Sequence, residues 1–339
     1  GFRHYNLTNN DDILAIDYAT ANFEDAHSIT ASYESRFFDN HRLRWRVFAG
    51  YNEYTASDVG IFSDTFEGQS HQFGGEMIWN FFQRRALLLD AVAGARYEHI
   101  QSEDTIPGSP DGSEGFIIPY LGVRAERYGD WSTMLASATL ELQEDDLAGV
   151  SATQLQQFGR AEVDESWAIL RADASVSVYL EPLLDLRAWR DPSTPESSTL
   201  AHELYARIAG QTSFGRRVIP QFETVAGGLY TVRGYEESVA AGDSAILGTL
   251  EYRFHLPKAL PLNPEPDELF GEPFRVSPQQ VYGPTDWDLI FRAFIDAGVV
   301  HSEDGTTIGD DGTTLIATGI GIEGQFKRNI TARIDWGIV

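Results

Sequence analysis

Apolar and polar residues alternate along much of this 339-residue chain, and the alternating runs are long. Every second residue from Ala168 to Leu180 is apolar, whereas the residues between them include Arg171 and Asp173. Because successive side chains of a β-strand point to opposite faces, each run predicts a strand with one apolar and one polar face. Many runs reach about ten residues or more, which is the length that a tilted strand needs to cross a bilayer.

The alternation predicts about thirteen strands. Their predicted ranges are 11–21, 27–37, 42–55, 70–82, 86–100, 115–127, 130–143, 166–182, 201–213, 244–256, 286–301, 313–326 and 329–339. The short connections lie at 83–85, 128–129 and 327–328, and the long polar ones at 56–69, 101–114, 144–165 and 302–312. Short turns at one end and long loops at the other are typical of bacterial membrane barrels. The connections 183–200 and 257–285 are exceptions, because they are long at positions where this alternation of short and long connections predicts short turns.

These features predict an all-β fold, a transmembrane antiparallel β-barrel with an apolar outside and a polar interior. A soluble sandwich or propeller also has alternating strands, but those strands average only about five or six residues. Bacterial single-chain barrels close with an even number of strands, so an odd count predicts that strands are missing from this chain. We interpret Gly1-Phe2-Arg3 as the tail of an earlier strand, and the last run, Ile334 to Val339, ends in mid-pattern.

Composition excludes several other classes of protein. No stretch approaches the roughly 18 apolar residues that a membrane-spanning helix needs, which excludes a helical membrane protein. The absence of cysteine excludes disulfides, thiolate metal sites and thiol nucleophiles. The net charge of -26 predicts no nucleic-acid partner, because two polyanions repel each other.

The sequence contains no catalytic or cofactor-binding motif. Its histidines are scattered without ligand spacing, and a Gly-x-Ser-x-Gly nucleophile motif is missing. The histidines are His4, His27, His41, His71, His99, His202, His255 and His301. The run Glu144 to Asp146 suggests paired carboxylates, and the acidic stretches 302–305 and 309–312 suggest a weak Ca²⁺ site. Solvated outer loops explain these runs better, so we expect no enzyme, no metal site and no cofactor.

The most specific pattern lies between the strands predicted at 201–213 and 244–256. Gln221 to Tyr235 contains Gly-Gly-Leu-Tyr-Thr-Val-Arg-Gly-Tyr, and Gly242-Asp243 and then Glu251-Tyr252-Arg253 follow it. A second pattern, Phe-x-Asp-x-Gly, occupies Phe294 to Gly298. Together and in this order, the patterns resemble those of the outer-membrane translocase superfamily, which contains BamA and the two-partner secretion (TpsB, or haemolysin-activator) transporters.

In that superfamily the sixth outer loop folds back into the barrel lumen, and the Arg at its tip pairs with the Asp of the second pattern. The resemblance therefore implies that Arg233 binds Asp296, in a bidentate contact that is stronger than a neutral hydrogen bond. Glycines would supply positive φ angles and close backbone approach at the loop tip. The candidate loop residues are Gly227, Gly228, Val232, Arg233, Gly234 and Tyr235, and the candidate wall residues are Phe294, Asp296 and Gly298.

The resemblance also implies a barrel of sixteen strands, with this loop between the eleventh and the twelfth. Nine of the thirteen predicted strands precede Arg233 and four follow it. We therefore expect residues 1–339 to form a single translocase barrel domain that lacks the first hairpin and the closing strand. The superfamily has periplasmic POTRA domains that capture client protein, and we expect these upstream in the full-length chain.

The spacing of the Gly-Gly pair, the Val-Arg-Gly-Tyr tetrad and the downstream Gly-Asp is most similar to that of the two-partner secretion branch. It implies a pore in a Gram-negative type of outer membrane that passes an unfolded secreted partner of the haemolysin or adhesin type. Its implied partners are this client and outer-membrane lipid. BamA-like or TamA-like insertion of barrels is the alternative function, and a passive porin is a second alternative.

Overall fold

The computed structural model describes residues 1–20, 26–59, 64–104, 111–184, 187, 200–280, 283–303, 312–327 and 329–339. The strands are β1 (Phe2–Tyr5), β2 (Ile13–Thr20), β3 (Ala26–Phe37), β4 (Asn40–Val59), β5 (Asp64–Arg84), β6 (Leu87–Asp104), β7 (Gly112–Tyr128), β8 (Ser132–Gln143), β9 (Trp167–Tyr179), β10 (His202–Thr212), β11 (Thr224–Ala226), β12 (Ala240–Gly242), β13 (Ser244–His255), β14 (Asp267–Leu269), β15 (Glu272–Phe274), β16 (Trp287–His301), β17 (Thr313–Phe326) and β18 (Ile330–Ile338). Short helices occur at α1 (Asp145–Ala148), α2 (Ala152–Leu155) and α3 (Glu181–Leu184).

Within the described ranges, fourteen of the strands form one antiparallel sheet in chain order, and β11–β12 and β14–β15 are separate short hairpins. The predicted all-β barrel is confirmed, and each of the thirteen predicted strands corresponds to a strand of this sheet. The fourteenth strand is β1, the predicted strand tail, whose Phe2 lies opposite Ile16 of β2. Within the described residues, β1 and β18 are the two ends of the sheet.

Several strands are longer than the sequence indicates. The polar residues 56–69 predict a loop, but β4 continues to Val59 and β5 begins at Asp64. β6 and β7 extend in the same way into the predicted loop 101–114. The predicted bounds of these two loops are wrong, because polar side chains do not end a ladder whose backbone N–H and C=O groups still have partners on the neighbouring strand. Residues 60–63 and 105–110, at the centres of the two predicted loops, lie outside the described residues.

The two faces of the sheet have opposite character. On β16, Phe291, Ile295 and Val299 are exposed on the outer face, whereas Arg292 and Asp296 are buried on the inner face. β17 and β18 carry the same alternation. A soluble fold buries apolar side chains and exposes charged ones, so this inverted arrangement suits a sheet whose outer face contacts lipid.

The interior is not uniformly polar, contrary to the sequence prediction. The connection between β8 and β9 folds onto the inner wall, where its Leu155 and Phe158 are buried with Trp167 and Phe222. This apolar plug consists of Ile100, Phe116, Ile118, Val150, Leu155, Phe158, Val163, Trp167, Ile169, Val218, Ile219 and Phe222. Strand periodicity does not reveal the plug, because seven of its twelve residues lie in connections. Among the described residues, no helix has the length and apolar composition needed to span a membrane.

Replacing Ile295 by arginine tests the assignment of the outer face. Ile295 lies midway along the exposed apolar face of β16. An arginine at the bilayer midplane costs about 2–4 kcal/mol, so we expect I295R to lose about that much free energy of unfolding. Urea titration of the folded barrel in phospholipid vesicles measures this loss. The control is S32R, because Ser32 lies on the inner face of β3; a loss as large as that of I295R would contradict the assigned faces.

Candidate functional site

The connection between β10 and β13 carries the motif that the sequence singles out, and we call residues 213–243 the motif loop. Its neck is the hairpin of β11 and β12, and its tip lies between these strands. Gly227, Gly228 and Gly234 have φ angles of 109°, 91° and 95° there. A Cβ on Gly227 would lie 2.3 Å from the carbonyl oxygen of Glu236, so a side chain does not fit at this position.

The tip of the motif loop is fixed to the barrel wall by a buried ion pair. Arg233 Nε donates to Asp296 Oδ2 at 2.7 Å, and Arg233 Nη2 donates to Asp296 Oδ1 at 2.8 Å. The backbone N–H of Arg233 also donates to Asp296 Oδ2, at 3.1 Å. Both residues are buried, and Asp296 is fully so. The structure therefore forms the bidentate contact that the sequence resemblance implies.

The guanidinium of Arg233 has further partners on three strands. Its Nη1 donates to Glu251 Oε2 on β13 at 2.7 Å and to Asp335 Oδ2 on β18 at 3.3 Å. Its Cζ lies 3.4 Å from the centroid of the Phe294 ring on β16, in a cation–π contact. Phe294, the first residue of the second pattern, thus supports the flat face of the group whose edges Asp296 and Glu251 bind.

The same carboxylates bind other arginines, and together they form an arginine cluster. Glu251 accepts hydrogen bonds from Arg253 at 2.5 Å and from Arg292 at 2.5 Å, and Arg333 pairs with Asp335. The cluster consists of Arg233, Arg253, Arg292, Arg333, Glu251, Asp296, Glu323 and Asp335. These eight residues carry four positive and four negative charges, a balance that favours a mostly buried site. Arg253 also pairs with the buried Glu203 at 3.3 Å, so the network continues beyond them.

The backbone of the loop tip lies directly against β18. A Cβ on Gly337 would lie 2.6 Å from the backbone nitrogen of Gly234, so the two glycines permit the close approach. Val232 is fully buried, and its Cγ2 would be 3.1 Å from a Cβ on Gly298. The hydroxyl of Tyr235 donates to a carbonyl oxygen of β17 at 3.2 Å. Each of these candidate residues therefore contributes to seating the loop on the wall.

Sequence reasoning missed two partners of Arg233. Glu251 belongs to the quoted Glu-Tyr-Arg pattern, but the sequence alone assigns it no contact. The second partner, Asp335, belongs to no sequence motif, and neither does the cluster residue Arg292. The positions of these two residues nevertheless carry a usable signal. Each is a charged residue at an inward-facing position of its strand, and such charges on neighbouring strands need partners inside the barrel.

A second buried ion pair connects the motif loop to the other long connections. Asp243 is fully buried and accepts hydrogen bonds from Arg160 Nη1 at 2.6 Å and Nη2 at 2.8 Å. It also accepts hydrogen bonds from the backbone N–H groups of Val218, at 2.8 Å, and Glu303, at 2.9 Å. One carboxylate thus holds the connections after β8, β10 and β16 together. Asp243 is the quoted Gly-Asp mark, whereas nothing in the sequence indicates Arg160 as its partner.

The charged groups of this site fasten the loop tip to the barrel wall. Burial lowers the pKa of Arg233, but its hydrogen bonds with Asp296 and Glu251 raise the pKa more strongly, above the ordinary value for arginine. The guanidinium therefore keeps its charge. In the part of the chain that the structure describes, no three His, Cys, Asp or Glu side chains are grouped to hold a metal ion. Residues 304–311, which include most of the acidic stretch considered for Ca²⁺, lie outside the described residues.

Comparison with solved structures identifies the fold. CdiB from Escherichia coli superposes with a TM-score of 0.68 at 12% identity, over 99% of this chain and 54% of that one. CdiB from Acinetobacter baumannii gives 0.62 at 12% identity, over 99% and 52%. BamA from Haemophilus ducreyi lacking POTRA domains 1-3 gives 0.60 at 12% identity, over 99% and 62%. The chain has the fold of these barrels and spans between half and two thirds of their lengths. No protein-family model and no curated protein sequence matches it.

Replacing Gly337 by alanine tests the contact between the loop tip and β18. The new methyl group would overlap backbone atoms of Arg233 and Gly234, so the tip must shift away from the wall. We expect G337A to lose about 1–3 kcal/mol of unfolding free energy and to expose the motif loop to limited proteolysis. The matched control is G324A on β17, where a Cβ meets nothing within 4 Å. Equal protease resistance of both variants and the parent would contradict the close seating of the loop.

Proposed function

We propose that this chain is the barrel of an outer-membrane transporter that passes an unfolded partner exoprotein, as in two-partner secretion of haemolysins or adhesins. The buried contact of Arg233 with Asp296 carries the proposal, because it fastens a long loop inside the barrel. The likeness to CdiB from two organisms supports the secretion branch. The inverted faces of the sheet support a place in the outer membrane of a Gram-negative type of cell.

The geometry suggests how such a pore works. The motif loop and the apolar plug occupy the interior, so a client chain passes only after one or both move. Ion pairs suit a reversible seal, because water or the polar groups of a passing chain can replace their hydrogen bonds one by one. The arginine cluster would then remain on the wall after the loop leaves, and its inward charges would keep the path wet.

The proposal also covers the full-length protein to which this chain belongs. We propose that residues 1–339 are one barrel domain, and that POTRA domains elsewhere in the full-length chain bring the client to the pore. Residues Gly227, Gly228, Val232, Arg233, Gly234 and Tyr235 would act as the movable element, and Phe294, Asp296 and Gly298 as its seat. The barrel would need no cofactor and no catalytic residue, because the client's own folding outside supplies direction.

Barrel insertion of the BamA or TamA type is the alternative, and the likeness to BamA from Haemophilus ducreyi favours it. The arginine clamp fits either role, so the discriminating observation is what the cell loses when the gene is deleted. Loss of one secreted protein indicates secretion, whereas a general loss of outer-membrane barrels indicates insertion. A passive porin is the second alternative, but it gives no reason for a buried clamp that holds a loop inside the lumen.

The Arg233→Ala variant of the complete protein tests the proposal. We expect it to fold into the membrane in normal amount but to secrete the partner protein about tenfold less, because a loop that loses several kcal/mol of docking no longer returns to the single seated position from which the client displaces it. Immunoblots of the culture medium and of the outer-membrane fraction measure the two quantities. The control is Arg207→Ala, because Arg207 forms a more exposed pair with Asp173. Normal secretion by R233A, or a single-channel conductance equal to that of the parent protein, would favour a passive porin.

A further inference from the structure

The connection between β13 and β16 is long, although it lies at the end of the barrel where short turns join β3 to β4, β5 to β6, β7 to β8 and β17 to β18. It contains the hairpin of β14 and β15, whose two-residue turn is Phe270-Gly271. The proposed transport function gives this hairpin no role.

The base of the hairpin packs on the outside of the barrel. The ring of Phe274 is buried and stacks on Phe326 of β17, with 5.6 Å between the ring centroids. The indole nitrogen of Trp287 on β16 donates to the carbonyl oxygen of Val276 at 2.8 Å. Phe326 lies an even number of residues from the exposed Ile320 on β17, and Trp287 lies an even number from the exposed Ile295 on β16. Both side chains therefore point to the outer face. The part of the connection from Phe274 to Trp287 therefore lies at the outer rim.

The hairpin is held rigidly at this rim. Arg275 Nη2 donates to Asp286 Oδ1 at 2.6 Å, and the backbone N–H of Arg275 donates to Asp286 Oδ2 at 2.8 Å. The backbone N–H of Lys327, in the β17–β18 turn, donates to the carbonyl oxygen of Asp286 at 2.6 Å. The Arg275 side chain also lowers the pKa of Asp286, so this carboxylate stays charged at neutral pH. These contacts fix the position from which the hairpin extends.

The tip of the hairpin exposes an aromatic ring almost completely. Phe270 is 96% exposed, and its φ angle of 54° is uncommon for a bulky residue. The same end of the barrel exposes Phe38, in the β3–β4 turn, to 81% and Leu184, in α3, to 84%. Phe38 also has a positive φ angle, 51°. Three separate connections at one rim thus present large apolar side chains that nothing in the described protein covers.

We propose that Phe270 is a membrane anchor that inserts into the interfacial layer of the leaflet at the short-turn end of the barrel. Aromatic side chains favour this layer, and the rim contacts place the hairpin beside lipid. The carboxylates of Glu265, Asp267, Glu268 and Glu272 surround the tip and are repelled by anionic lipid. The surface that fits is therefore a zwitterionic one whose ammonium headgroups, as in phosphatidylethanolamine, can meet these acids. This inference rests on the proposed membrane location of the barrel.

Spin labelling tests the anchor directly, because the chain contains no native cysteine. A nitroxide on Leu269→Cys, next to the tip, reports its accessibility to oxygen, which concentrates in lipid, and to a water-soluble nickel complex. The barrel is reconstituted in vesicles of phosphatidylethanolamine and phosphatidylcholine. We expect the L269C label to be reached by oxygen in preference to nickel, and to lose this preference when Phe270→Ser is added or when phosphatidylglycerol replaces a third of the lipid.

Two controls separate the possible failures. A label on Ile295→Cys, on the outer face of β16, must be reached by oxygen; if it is not, the proposed membrane location itself fails. A label on Asp130→Cys, in the short β7–β8 turn at the same end, gives the signal of a turn without this hairpin. Suppose that the I295C label reports lipid. If the L269C label then has the same oxygen and nickel accessibility as the D130C label, or is shielded from both reagents as in a protein contact, the anchor is wrong and the transport proposal stands. If the L269C label keeps the same preference for oxygen in vesicles that contain phosphatidylglycerol, the proposed headgroup preference is wrong.

Discussion

A charged guanidinium inside a barrel, largely removed from water, is stable only where carboxylates surround it, and this requirement organises one wall of the structure. Arg233 meets Asp296 on β16, Glu251 on β13 and Asp335 on β18, so three strands direct an acid towards one loop residue. Removing one partner of such a buried set leaves an uncompensated charge, at a cost of about 3–5 kcal/mol. The loop therefore remains in the lumen as long as the set is intact.

The same alternation that makes the outer face apolar makes the cluster possible. Because side chains alternate along each strand, the residues between the lipid-facing ones point inward, where charges such as Arg292 and Glu323 meet across neighbouring strands. A second buried pair, Asp243 and Arg160, joins three long connections beside the apolar plug. The arginine cluster and the apolar plug thus fill part of the interior, where period-two patterning alone predicts only a polar wall.

Much of this architecture could be predicted from the sequence. Strand positions followed from the alternation, since a lipid-facing strand must keep one face apolar along its length. The pairing of Arg233 with Asp296 followed only from the resemblance of two short motifs, because nothing local relates residues 63 positions apart. The plug, Arg160 and the hairpin of β14 and β15 escaped prediction for a common reason. Arg160, the hairpin and most of the plug lie in connections, whose packing depends on tertiary contacts and not on a repeating period.

A double-mutant cycle on Arg233 and Asp296 tests the central claim most directly. Arg233→Ala, Asp296→Ala and the double variant are compared with the parent by the free energy of unfolding and by the protease resistance of residues 213–243. If the two side chains act as one clamp, the double variant loses no more than the worse single variant, because the second change removes a group that has already lost its partner. Additive losses would show that the two residues stabilise the barrel independently, and the account of a loop clamped in the lumen would fail.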